Sequence, residues 1–366
     1  MIKRRARVNP MKTALMLTTF TTVAAGALAG LAVTVSAQDP APQVQVVARE
    51  SDRRVDVTIG GKPFTSYLWP TTIKKPVLYP LRSAQGTELT RGFPLQPREG
   101  ERVDHPHHVG MWLNYGSVNG IDFWNNSDAI KPDQAAKYGT ILHTGIANVK
   151  SGAGRGELNV TADWALQDKT VILKEDTRYI FHAMTNVRVI DRITTLTATE
   201  KPVTFGESKE GVLGIRVRRQ LEEPSTKPEV FTDAKGNPTP VPAMNNDGVN
   251  GVYLTSEGKK GADAWGTRGR WCALSGKVDG EPVTIVIFDH PQNPNHPTYW
   301  HARGYGLFAA NGLGGQEFNK AEAPRSRTLQ PGESLKFVYR VLILSGEPDV
   351  RNLNIRYTEF TKDLGS

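Results

Sequence analysis

Hydrophobic and polar residues alternate with a period of two along most of the chain. Val55, Val57 and Ile59 fall on one face, with Asp56 and Thr58 on the other. Leu158, Val160, Ala162 and Trp164 alternate with Asn159, Thr161 and Asp163, and Leu335, Phe337, Tyr339, Val341 and Ile343 share one face of a late segment. Such alternation predicts strands with one buried face. Gly60-Gly61, and Asp279-Gly280 between Trp271–Val278 and Pro282–Phe288, predict tight hairpins. Residues 139–209 predict four or five long strands in succession, helped by β-branched Thr194, Thr195, Thr197 and Thr199. Helical spacing is clear only over 348–363, where Val350, Leu353, Tyr357 and Phe360 recur three or four apart. That segment predicts a short C-terminal helix closing the domain. Residues 220–251 hold Pro224, Pro228, Pro238, Pro240 and Pro242 with little apolar pattern, which predicts a long surface insertion. The sum is an all-β chain: one large antiparallel β-sandwich of about twenty strands with long rim loops.

Composition changes this picture in three places. A mean hydropathy of -0.40 and 22% charged residues over 366 residues describe a globular protein, neither disordered nor a polytopic membrane protein. The net charge of +8 is concentrated at the start, where residues 1–37 hold Lys3, Arg4, Arg5, Arg7 and Lys12 and no acid. Taking those five from 45 leaves 40 basic against 37 acidic residues, a charge of +3 that gives no reason to expect nucleic acid. The same residues read as a secretory signal: a basic start, an apolar run from Ala14 to Val35, and Val35-Ser36-Ala37 before Gln38. Met11 opens a good signal by itself, which leaves open whether residues 1–10 are translated. The expectation is a periplasmic or secreted protein whose mature part, 38–366, is one β-sandwich domain. No other segment reaches about 18 apolar residues, so no membrane contact is expected after cleavage. The single cysteine, Cys272, excludes a disulfide scaffold or a multi-cysteine metal site within one chain and reads as a buried strand residue.

The candidate chemistry is histidine-rich. His105, His107 and His108 lie in VDHPHHVG, and His290, His296 and His301 lie in FDHPQNPNHPTYWHARGYG; only His143 and His182 stand apart. Both segments contain Asp-His-Pro, at Asp104-His105-Pro106 and Asp289-His290-Pro291. Proline stops a central strand and fixes a rigid turn, a good place to present an imidazole, and the adjacent carboxylate can orient the ring. A third segment, Phe205 to Val217, places Glu207, Lys209 and Glu210 at a strand end, where a carboxylate beside a lysine suits acid–base work. Three uses fit: general acid–base catalysis, a metal site, or histidines that knit loops by hydrogen bonds. No cofactor is called for except, under the metal reading, a divalent ion held among the six clustered histidines with Asp104 or a glutamate. Aromatic residues flank both motifs. Trp112, Trp124, Tyr299, Trp300 and Tyr305, with polar Asp104, Arg303 and Asn311, suit a sugar ring, whose apolar face stacks while its hydroxyls hydrogen-bond.

The segments DHPHHVGMWLNYGSVNGIDFW, KEGVLGIRV and FDHPQNPNHPTYWHARGYGLFAANGLG resemble a family of secreted bacterial proteins called methane oxygenase-like or of unknown function. The resemblance runs from about Tyr67 to Leu344. Val109 stands where that family usually has arginine, and Gly312 where it usually has proline. The family's layout is similar to the galactose-mutarotase-like supersandwich of sugar epimerases and some polysaccharide lyases, which use His and Glu around an open groove. The resemblance implies that His105, His107, His108 and Glu207 or Glu210 are acid–base groups, with His290, His296, His301 and Arg303 lining the same groove. The expected function is acid–base chemistry on a sugar or oligosaccharide: epimerase, lyase or hydrolase. The alternatives are a His-ligated metal-dependent oxygenase or lyase, and a non-catalytic glycan-binding module.

Overall fold

A computed structural model describes residues 41–363 apart from Gly236 and Met244. The signal reading of residues 1–37 lies outside the described residues. The period-two segments become strands, and the expected antiparallel sandwich is what forms. Ten strands make one sheet, in the order Arg268–Gly269, Thr298–Arg303, Leu307–Asn311, Gly211–Arg216, Met111–Tyr115, Val77–Leu78, Lys62–Leu68, Arg54–Ile59, Gln43–Arg49 and Gly152–Ala153. Eight make the other, in the order Val252–Thr255, Trp271–Val278, Glu281–Asp289, Ser334–Ser345, Val187–Ala198, Val171–Ala183, Arg155–Ala165 and Thr140–Lys150. Both predicted hairpins form. Gly60-Gly61 (φ 58° and 77°) and Asp279-Gly280 (φ 50° and 85°) take the left-handed backbone that a two-residue turn between twisted strands requires.

The main core lies between the sheets. Leu113, Leu213, Ile215, Trp300 and Phe308 come from the first, and Val160, Tyr179, Ile285, Phe337 and Ile343 from the second. The outer face of the eight-stranded sheet is covered by the C-terminal helix, Val350–Asp363. Leu353, Tyr357 and Phe360 pack there against Trp271, Phe288, Val338 and Leu342. Val350, grouped with them by spacing, is exposed instead at the start of the helix, outside this cluster. The proline-rich insertion is less free than its composition suggests. Glu229–Thr232 and Pro238–Val241 form a hairpin, and Phe231 lies under the guanidinium groups of Arg102 and Arg219. The insertion thus becomes a wall beside the ten-stranded sheet.

The outer face of that sheet holds the chemistry. Because side chains alternate, Trp300 and Ala302 enter the core while Tyr299, His301 and Arg303 point out; likewise Leu213 and Ile215 point in, and Gly214 and Arg216 point out. Gly214 is opposite Trp112 on the neighbouring strand, and a Cβ there would come within 2.6 Å of the indole. Gly214→Ala should therefore cost about 1–3 kcal/mol of stability, read by chemical denaturation, because the ring has to leave its position beneath the site.

Candidate active site

The first histidine motif follows a loop and turns into the strand Met111–Tyr115. His105 has φ 43°, uncommon for a non-glycine residue and the kind of backbone strain that gathers at functional sites. Its Nδ1–H donates to Asp104 Oδ2 at 2.6 Å. Asp104 Oδ1 in turn accepts from Arg91 at 2.9 Å and Arg216 at 2.7 Å, and both guanidinium groups are buried. Burial alone raises the Asp104 carboxyl, but Arg216, the His105 hydrogen bond and Arg91 outweigh it and hold the carboxyl well below the usual range. Asp104 is therefore a fixed anion that locks His105 into the tautomer whose Nε2 carries a lone pair. The His105 side chain is 41% exposed, so that lone pair is available to a ligand.

The other rings are arranged around it. His105 lies parallel to His108 (4.8 Å, 2°) and to Tyr305 (5.1 Å, 4°). His108 is buried on a bed of Trp112 and Trp124, with the Trp124 Nε1–H 3.2 Å from Nε2 and the Arg216 guanidinium 3.2 Å from Nδ1. Burial, then His107 and Arg216, push its pKa well down, so it stays neutral. His107 is pushed down to about 2 by burial and then by Lys75, and its Nε2 is buried without a partner. His301 donates Nδ1–H to the Lys209 carbonyl at 3.0 Å, and burial followed by Arg303 lowers it to about 3. The Tyr305 hydroxyl has no hydrogen-bond partner among the described residues, and burial raises it to about 12. At the rim, Lys209 Nζ pairs with Glu210 Oε1 at 3.0 Å. His105, His107, His108, His301, Arg303, Tyr305, Lys209 and Glu210 thus belong to one region of the outer face.

Several expected site residues fall elsewhere. The second Asp-His-Pro turn does not meet the first: among the described residues no hydrogen bond, ion pair or ring contact joins them. Asp289 continues a strand of the eight-stranded sheet and accepts from His296 Nδ1 at 2.7 Å, Thr298 N and Asn293. His290 is edge-on to Phe360 at 5.1 Å, and Tyr357 donates to the Asp289 carbonyl. His290 and His296 are corrected to residues that fasten this turn beneath the C-terminal helix. Glu207 is corrected as well, since its carboxylate accepts from the backbone N–H of Gln316 and Arg325 and so knits a loop. Trp300 is in the core between the sheets, and Trp112 and Trp124 are fully buried behind His108, so none of the three presents a face to a ligand. Asn311 is buried and caps Leu313 N and Gly314 N, and Tyr299 spends its hydroxyl on Glu322. His143 stacks on Trp69, and His182 pairs with Asp191, both outside this region.

Three residues of the site were not singled out by sequence. Arg216 had a readable signal, a lone charge inside the apolar run GVLGIRV. Arg91 and Lys75 had none. Lys75 Nζ is buried, donates to the His107 carbonyl at 2.6 Å and lies 5.2 Å from the Trp112 ring centroid. Burial lowers it to about 7 against a small opposing effect of Asp122.

The metal reading finds little here. Among the described residues no group of three His, Cys, Asp or Glu side chains gathers to hold an ion. The nitrogens face apart: His105 Nδ1 is committed to Asp104, and both nitrogens of His108 face the donors of Trp124 and Arg216.

Residues 54–357 match the model of a family described as a family of unknown function, DUF6807. That description names no activity, so the name methane oxygenase-like finds no support in it. No curated protein matches the sequence. Similar solved structures include a GH36 alpha-galactosidase from Geobacillus stearothermophilus, at 11% identity and a TM-score of 0.40, covering 82% of this chain and 40% of the galactosidase. The chain thus spans less than half the length of that protein. A galactose mutarotase-like protein from Clostridium acetobutylicum is 11% identical with a TM-score of 0.40, covering 83% of this chain and 99% of its own. A galactose mutarotase related enzyme from Lactobacillus acidophilus is 10% identical with a TM-score of 0.31, covering 83% and 98%.

Proposed function

We propose that this chain, which belongs to the DUF6807 family of unknown function, carries out acid–base chemistry on a sugar at the outer face of its ten-stranded sheet. The observation that carries this reading is the Asp104–His105 pair. Its Nδ1–H is fixed on a permanent carboxylate, its Nε2 has no hydrogen-bond partner among the described residues on a side chain that is exposed, and a partnerless tyrosine hydroxyl belongs to the ring stacked against it. His105 takes a proton from the sugar through Nε2, and Asp104 stabilises the imidazolium that results. The Tyr305 hydroxyl gives a proton to, or hydrogen-bonds, the oxygen on which charge develops. His107, His108 and His301, held neutral by burial, add no positive charge beside His105. Such a site suits epimerisation, elimination or hydrolysis. The basic start and apolar run of residues 1–37 support a periplasmic or secreted location for this activity.

The test is turnover of a panel of mono- and oligosaccharides by the wild type, His105→Asn and Tyr305→Phe. His105→Asn should lower kcat by a factor of about 10² to 10⁴, the usual contribution of a positioned base, with little change in melting temperature. An unchanged kcat in that variant on a sugar the wild type turns over removes His105 from the mechanism.

A further inference from the structure

A cavity of about 450 Å³ lies between the proline-rich insertion and the turn Ala302–Tyr305, with Trp265 on a third side. It shares Tyr305 with the histidine site. Three polar groups on its lining have no partner among the described residues. Trp265 Nε1 is buried and donates to nothing. Glu223 makes no side-chain hydrogen bond or ion pair; it is held against Gly304, where a Cβ would come 3.1 Å from Oε2. Arg303 makes no ion pair or side-chain hydrogen bond, and its guanidinium lies 5.7 Å from the ring centroids of both Trp265 and Tyr305. The contrast with its neighbours is sharp: Arg91 and Arg216 pair with Asp104, and Arg102 pairs with Glu222 and Glu229. Trp265 Nε1 is the buried one and loses free energy while unpaired, and the partly exposed Glu223 and Arg303 leave an acceptor and a donor beside it for a ligand to use.

We propose that this cavity is a second sugar subsite. It holds the unit joined to the ring that reacts at His105, so the substrate is an oligosaccharide or glycoside rather than a free monosaccharide. The inference rests on the sugar reading above. Two donors and one acceptor, set around one space, match vicinal hydroxyls, which both donate and accept. Tyr305 marks the join, with one ring bordering the subsite and lying parallel to His105.

Saturation-transfer NMR on the full chain, with an array of monosaccharides and the di- and trisaccharides made from them, tests this. Binding is expected for glycans of two or more units, with affinity falling about tenfold in Trp265→Phe, which keeps the ring and removes the donor, and in Glu223→Gln. Melting temperatures within a few degrees of wild type establish that both variants fold. Monosaccharides bound as tightly as their oligomers, or oligomer binding untouched by both variants, overturns the subsite and leaves the His105 reading standing. Binding of no glycan on the array overturns both.

Discussion

Asp104→Asn should be among the most damaging single changes in this protein, with an expected loss of about 3–5 kcal/mol at pH 7. The substitution keeps shape and volume but removes the one carboxylate shared by the two fully buried guanidinium groups of Arg91 and Arg216. Two cations out of water and 0–1% exposed in their side chains would then repel each other with no countercharge between them. Burial and Arg216 already push Arg91 down to about 9 in the wild type. The pH dependence gives the sign. The Asp104 carboxyl is lowered on folding, so its contribution is fully present above the ordinary carboxylate pKa of about 4 and fades as pH falls below it. Urea denaturation of wild type and variant from pH 7 to pH 2 should show a stability gap that narrows on the acid side. A gap that stays constant with pH would mean the ion pair is not its source. Because Asp104 also orients His105, the variant should lose turnover even under conditions where it remains folded.

Lys75→Met should act in the opposite direction and with comparable size. Lys75 is buried and, among the described residues, has one hydrogen-bond partner, the His107 carbonyl, and no carboxylate within ion-pair distance. Its amine falls from 10.5 to about 7 on folding, mainly through burial. Between those values the unfolded chain binds a proton that the native protein does not, so wild-type stability rises with pH through that window. Below about pH 7 the native state holds an unpaired buried cation, and methionine, of similar length and apolar, has no such cost. The variant should be more stable than wild type at pH 6, with the difference changing by about 3–5 kcal/mol by pH 10. Denaturation midpoints measured in parallel at pH 6, 8 and 10 check this, and parallel pH profiles for the two proteins would refute it. Lys75 holds the His107 carbonyl and so braces the loop that carries the histidines. The variant's kcat against pH should accordingly shift even as its stability improves.

How much of this was legible beforehand depends on the range of the physics involved. Strand alternation, the two glycine-bearing hairpins and the helix over residues 350–363 are local, because side-chain period and turn backbone are set by neighbours in the chain. The first histidine motif was legible for the same reason: a carboxylate, an imidazole and a proline in succession already build a turn and an oriented ring. The second motif carries the same three residue types, yet Asp289 ends a strand of the other sheet and its histidines lie under the C-terminal helix. Identical local chemistry was sorted by sheet membership. The aromatic residues show the same limit. Trp300 and His301 are adjacent, and only the inward or outward sense of one strand makes the first a core residue and the second a site residue.

The chain by itself determined an antiparallel β-sandwich, its turns and one motif that orients an imidazole on its neighbouring carboxylate, since each follows from periodicity and near-neighbour hydrogen bonding. Only the tertiary structure decided which loops share a face, that Arg91 and Arg216 converge on Asp104 from 13 and 112 residues away, and that Lys75 is sealed beneath His107. Burial and the energy of a charge depend on what packs around a residue from distant parts of the chain, and the linear order of residues does not carry that information.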